Sequence, residues 1–185
     1  MAWLARSSKV HEPHSLALRP PARDAGGMAR PLAIGDPAPD LAFTTHEGRR
    51  ISLPDFRGKQ AVVVFFYPRD NTPICTTEAC AFRDAYDDFV REGCVVIGVS
   101  SDSDASHRTF AGSHHLPYLL VADVDGSVRQ AFGVPKTMAI FPGRVTYVID
   151  RDGFVRHVFN SQWQGEKHVE ESLRIVRELS RTNHG

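Results

Sequence analysis

Residues 30–185 predict an α/β fold, a central mixed β-sheet flanked by helices, and three observations carry that expectation. Two near-continuous apolar runs, AVVVFFY at 61–67 and CVVIGVS at 94–100, have the composition of strands covered on both faces. Segments of helical character separate the strand candidates, and such alternation builds helices onto a sheet. A tight turn at Asp152-Gly153 leads into a terminal hairpin, which adds antiparallel pairing.

The elements follow in order. After the 61–67 strand a helix is expected over 76–91, then the 94–100 strand and a helix over 105–114. YLLVAD at 118–123 forms the next strand candidate, and a short helix covers 128–132. RVTYVID at 144–150 and FVRHVF at 154–159 supply the hairpin, and a last helix spans 166–179. His114 and His115 end the 105–114 helix with Pro117 just beyond, so capping accounts for them. Asp84, Asp87 and Asp88 read as a solvated acidic face, and Trp163 and Phe159 as packed in the loop before the last helix.

Residues 1–29 differ from the rest. They mix Pro, Gly, Arg, His and Ser without periodicity, which reads as a disordered or artefactual arm. The cluster Ala2-Trp3-Leu4-Ala5 is shorter than a signal-peptide core, so export is not expected and a cytoplasmic location is. Arg6, Arg19 and Arg23 among serines hint at an organelle transit peptide, but Glu12 and Asp24 count against it. Met28 offers a second start of translation.

Composition narrows the function. With 185 residues, 42% of them hydrophobic, the chain can build one domain with a real core. Its 22 cationic and 22 acidic residues balance, leaving no basic field to hold nucleic acid or an anionic membrane. The apolar runs are too short to span a bilayer as helices. Three cysteines do not make a secreted disulfide scaffold; reactive, metal-binding or buried thiols fit better.

Two of those cysteines sit in PRDNTPICTTEAC, residues 68–80. Ala79, Phe82, Tyr86 and Phe89 fall within about 40° of Cys75 at 100° per residue, so Cys75 heads an apolar stripe at a helix N-terminus. Unpaired backbone N–H groups and the positive end of the helix dipole favour a thiolate there. Pro73 starts the helix sharply and holds Thr72 extended.

Cys80 lies about 140° around the same helix, with its Cα roughly 8–9 Å from that of Cys75. A disulfide needs about 7 Å or less, so the two bond only if the helix start unwinds. C-x4-C within one helix splays the sulfurs apart, and zinc is not expected. Cys94, opening a buried strand, reads as a small buried hydrophobe.

PRDNTPICTTEACAFRD, residues 68–84, resembles the active-site segment of the peroxiredoxins, in particular the peroxiredoxin Q (bacterioferritin comigratory protein) group. Pro68, Thr72 and Cys75 meet the family pattern P-x-x-x-T-x-x-C, and Cys80 matches the group's second cysteine five residues on. The likeness extends through GDPAPDLAF (35–43), FGVPKTMAIFPGRVTYVIDRDG (132–153) and GEKHVEESL (165–173).

The resemblance implies a thioredoxin-like fold and thiol-dependent reduction of hydrogen peroxide or organic hydroperoxides. It makes Cys75 the peroxidatic cysteine, Cys80 the resolving one, Thr72 a peroxide-binding hydroxyl, Pro68 a shield for the thiolate and Arg144 its stabilising cation. It further implies an intramolecular Cys75–Cys80 disulfide, recycling by thioredoxin or a similar dithiol protein, a monomer, and no metal or organic cofactor. Glu78, on the Cys75 side of the helix, could orient Arg144 or stand as a solvated carboxylate. His168 matches a family position but reads as a first-turn helix residue. Ile74, where many relatives have glycine, adds bulk at the pocket mouth. Two rival functions remain at this point: a thioredoxin-fold disulfide reductase, which the lack of C-x-x-C disfavours, and a binding protein with structural cysteines.

Overall fold

A computed structural model of the chain describes residues 30–137 and 141–182; the expected arm at 1–29 lies outside them. The first elements are a short antiparallel hairpin, β1 (Ala42–Thr44) and β2 (Arg50–Ser52), which the sequence pattern does not reveal. Each strand is three residues long with one buried side chain, Phe43 and Ile51, too little for an alternation to register.

The apolar run after it becomes β3 (Ala61–Phe66), buried along its whole length. The helix expected over 76–91 appears as two, α1 (Pro73–Asp84) and α2 (Tyr86–Arg91), with a break at Ala85 where φ and ψ reach −94° and 1°. Helix α1 begins at Pro73, earlier than expected, because proline tolerates the first helical position, where no amide hydrogen is needed. Cys75 therefore falls inside the first turn.

Next come β4 (Cys94–Ser100), α3 (Asp104–His114), β5 (Leu119–Ala122) and α4 (Ser127–Phe132). Ser103 caps α3 by accepting a hydrogen bond from the Ser106 amide at 3.2 Å. His115 ends that helix in the left-handed region, φ 52°, in line with the capping role read from the sequence. A two-residue ladder, β6 (Lys136–Thr137) with β7 (Phe141–Pro142), precedes β8 (Val145–Ile149), β9 (Val155–Asn160) and the long α5 (Gly165–Thr182).

Five strands form one mixed sheet in the order β5-β4-β3-β8-β9. The β3–β4 and β4–β5 pairs are parallel, while β8 runs antiparallel to both β3 and β9. The expected mixed sheet is thus present. Both faces are covered, which explains the continuous apolar runs. On one face Val63, Phe65, Val96 and Val148 meet Phe82, Phe89, Phe110 and Val176 from the helices. On the other, Val64, Phe66, Ile97 and Tyr147 meet Leu32, Phe43, Leu53 and Phe132.

Gly98 shows how tightly the first face is filled. A Cβ there would come within 2.7 Å of Phe65 Cζ and 2.8 Å of Leu120 Cδ2. The missing side chain leaves room for the Phe65 ring, which stacks on Phe82 with centroids 4.3 Å apart. That stack anchors α1 on the sheet and so fixes where Cys75 sits.

Candidate active site

The site lies where the N-terminal turn of α1 meets the start of β8 and the first turn of α5. Cys75 is buried, and Arg144, just before β8, directs Nη2 at its sulfur from 3.1 Å. The same guanidinium donates through Nη1 to Glu78 Oε2 and through Nε, at 3.2 Å, to the Gln162 carbonyl. Arg144 itself is only 2% exposed. Five N–H donors in a rigid planar fork suit one cation holding several acceptors at once. Glu78 therefore orients Arg144; the solvated alternative does not hold, since the carboxyl is fully buried.

Around that pair the fold builds a polar layer that motif reading did not assemble. Glu78 Oε1 lies 3.7 Å from His168 Nδ1 and has no hydrogen-bond partner among the described residues. His168 Nε2 donates to the Ser161 carbonyl at 2.9 Å, which leaves Nδ1 to accept from the Thr146 hydroxyl at 2.7 Å. His168 is in the first turn of α5 as expected, but it is buried in the site rather than a mere helix residue. Burial pushes its pKa down to about 4, so it is neutral. Burial pushes the Glu78 carboxyl up, to about 8, against the attraction of Arg144.

Those shifts give a measurable expectation. The folded state refuses a proton that an unfolded histidine accepts below about 6.5, so the His168 contribution to stability falls as pH drops from 6.5 towards 4. Glu78 acts in the opposite sense, because its folded pKa lies above the unfolded one and its contribution is lost as pH rises through about 8. The comparison with His168→Gln isolates the histidine: the stability gap between wild type and variant should narrow by about 3 kcal/mol between pH 6.5 and 4. Urea denaturation at a series of pH values reads it, and a constant gap would mean that His168 is not held neutral.

The loop leading into α1 is clamped from two sides. Asp70 accepts from the Tyr67 hydroxyl and the Ser106 hydroxyl, each at 2.7 Å, and contacts His107 Nδ1 at 2.9 Å. Burial alone would raise the Asp70 pKa, but the hydrogen bonds from His107, Ser106 and Tyr67 bring it below the usual carboxylate value. On the other side, Arg129 donates to the Tyr67 and Gly143 carbonyls, the residues just before Pro68 and Arg144. Asp123 holds the start of α4 in turn, accepting from the Val128 and Arg129 amides at 2.8 and 2.9 Å. In the sequence, Asp70, His107 and Arg129 carry no local signal of these contacts.

Pro68 and Thr72 are half-buried in this loop, Thr72 as the N-cap residue of α1. The Thr72 hydroxyl donates to the Arg69 carbonyl at 3.2 Å, leaving its oxygen lone pairs available. Cys80 is half-buried on the flank of α1, and neither it nor Cys75 is in a disulfide. Cys94 is a buried free thiol at the start of β4, and burial raises its pKa far above that of an exposed cysteine.

Beside the site, a groove of about 480 Å³ runs between the starts of α1 and α5, walled by Ile74, Thr77, Trp163 and Glu166. Trp163 is 76% exposed on its rim, not packed into the loop as expected. Gly165 lets α5 approach this closely, since a Cβ would lie 3.1 Å from Glu78 Cβ and 3.2 Å from the Ile74 carbonyl.

A thiol at a helix N-terminus, bonded to a buried arginine over a thioredoxin-like sheet, defines a thiol-dependent peroxidase, an oxidoreductase that reduces a peroxide at the expense of a thiol reductant. The chain belongs to the AhpC/TSA family, whose profile matches residues 34–158, and within it to the peroxiredoxin Q group. It is 46% identical over 146 residues to peroxiredoxin Q of Sedum lineare, covering 78% of each chain. Among solved structures it superposes on the peroxidoxin BcpB of Mycobacterium tuberculosis with a TM-score of 0.73 at 31% identity, covering 80% of this chain and 98% of that one. It is also similar, at 26% identity and a TM-score of 0.71 over 80% of this chain and 98% of the other, to the bacterioferritin comigratory protein of Xanthomonas campestris, studied for alkyl peroxide reduction. The plant relatives, that of Sedum lineare included, are chloroplastic proteins. This overturns the cytoplasmic location expected from the lack of an export signal.

Proposed function

We propose that Cys75 is the peroxidatic nucleophile of a cycle that closes through a Cys75–Cys80 disulfide and is reset by thioredoxin, with hydrogen peroxide and organic hydroperoxides as substrates. One observation carries this reading: the 3.1 Å contact of Arg144 with the buried Cys75 sulfur. The thiolate attacks one peroxide oxygen and becomes a sulfenic acid, while hydroxide or alkoxide leaves. Negative charge passes from sulfur to the leaving oxygen, and a fixed cation beside the sulfur stabilises both ends of that shift. Glu78 holds Arg144 in place by accepting from its Nη1. Thr72 offers a hydroxyl to the bound peroxide, and Pro68 keeps water from the thiolate. Ile74 narrows the mouth of the site on the side of the groove. The catalytic unit is a monomer formed by residues 30–185, and the arm at 1–29 is dispensable to it.

Stopped-flow oxidation of the reduced protein, followed by mass measurement and peptide mapping, tests the reading. Peroxide should yield a bridge between Cys75 and Cys80, with a fall in helicity as the start of α1 unwinds and no part taken by Cys94. A bridge mapped to Cys94, or a Cys80→Ser variant that cycles with thioredoxin at the wild-type rate, would remove Cys80 from the cycle.

A further inference from the structure

We propose that His114 is the general base that ionises Cys80 for the resolving step; the inference rests on the resolving role given to Cys80 above. The Cys80 sulfur lies 4.0 Å from His114 Nδ1, across the contact between α1 and the last turn of α3. The imidazole is seated edge-on against Phe110 with centroids 4.9 Å apart. Arg83 Nη1 donates to the His114 carbonyl at 3.0 Å, tying the two helices together beside the thiol.

Cys80 needs help that Cys75 does not. It lies in the second turn of α1, where backbone amides are spent on carbonyls of the preceding turn, so the helix end offers its sulfur no N–H groups. A thiol without assistance is only a few per cent ionised at neutral pH. Besides His114, the polar neighbours Arg83 and Tyr118 interact electrostatically with this sulfur. Arg83 is a permanent cation and accepts no proton; its charge is shared with Asp84 at 2.8 Å. Tyr118 is a buried neutral phenol whose hydroxyl donates to the Ala79 carbonyl at 2.9 Å. Of these, His114 can take a proton, and its Nδ1 is the atom that faces the sulfur.

The step balances as follows. The Cys80 proton moves to His114 Nδ1, and the α1 turn unwinds and carries the thiolate to Cys75. A sulfur lone pair of Cys80 forms the S–S bond as the S–O bond of the Cys75 sulfenic acid breaks. The oxygen leaves with that bonding pair as hydroxide and becomes water on taking a proton, so Cys80 is oxidised and the Cys75 sulfur reduced. Complete proton transfer would raise the thiolate fraction about 30-fold at most, and a less basic thiolate is also less nucleophilic, so an acceleration of roughly five- to tenfold is the upper range expected.

His114→Ala tests this against the two phases of peroxide oxidation. The sulfenic acid should form at the wild-type rate, while disulfide formation slows by up to roughly five- to tenfold and added imidazole restores it. In a Cys75→Ser background, the pH profile of Cys80 alkylation should move to higher pH when His114 is replaced. An unchanged disulfide phase and alkylation profile would overturn the role of His114, while a Cys80→Ser variant that accumulates sulfenic acid would show the resolving role intact. If Cys80→Ser turns over normally, the resolving role fails and the base falls with it.

Discussion

Cys75→Ser is expected to abolish peroxide turnover while leaving the fold in place. The serine hydroxyl fills almost the same volume at the head of α1, and Arg144 Nη2, 3.1 Å from the sulfur in the wild type, finds an oxygen acceptor there. The stability cost is small, because neither the Phe65–Phe82 stack nor the polar layer is touched. Chemistry is lost because oxygen cannot take the place of sulfur as acceptor of the peroxide oxygen. Peroxide consumption in the presence of a dithiol reductant, with circular dichroism and thermal melting as fold controls, reads the result. Appreciable residual turnover in a folded variant would displace Cys75 as nucleophile.

Arg144→Ala should slow the peroxide step by roughly 10²–10³, the range for loss of one preorganised stabilising group. The attacking sulfur loses the cation that lies 3.1 Å from it. Two further acceptors, Glu78 Oε2 and the Gln162 carbonyl, lose their donor, and that costs about 1–3 kcal/mol of stability. Arg144→Lys separates charge from geometry. A lysine restores a cation but not the fork that reaches Cys75 and Glu78 together, so it should recover only part of the rate. Wild-type oxidation kinetics in Arg144→Ala would mean that the thiolate is stabilised by the helix end alone.

Much of the architecture was legible in local pattern. The runs at 61–67 and 94–100 became β3 and β4 because strands covered on both faces must be apolar throughout. Cys75 was legible because proline, threonine and the apolar stripe mark a helix start, and a helix start has its own electrostatics. The hairpin β1–β2 and the ladder β6–β7 were hidden by their shortness, two or three residues each. Ala85 splits one expected helix without a proline or glycine to announce it.

The sequence by itself determined the class of fold, through its apolar runs alternating with helical segments, and it placed Cys75 at a helix start with Cys80 about one and a half turns further on. Only the tertiary structure decided what surrounds that thiol. Arg144 reaches Cys75 across 69 residues and Glu78 across 66, Asp70 meets His107 across 37, and Thr146 meets His168 across 22. The pairing of β8 with β3 and the docking of α5 on α1 bring these side chains together, and no local spacing encodes either. Burial then does what composition cannot, holding His168 neutral and pushing Glu78 up to about 8, because a charge loses its hydration only once the chain has closed over it.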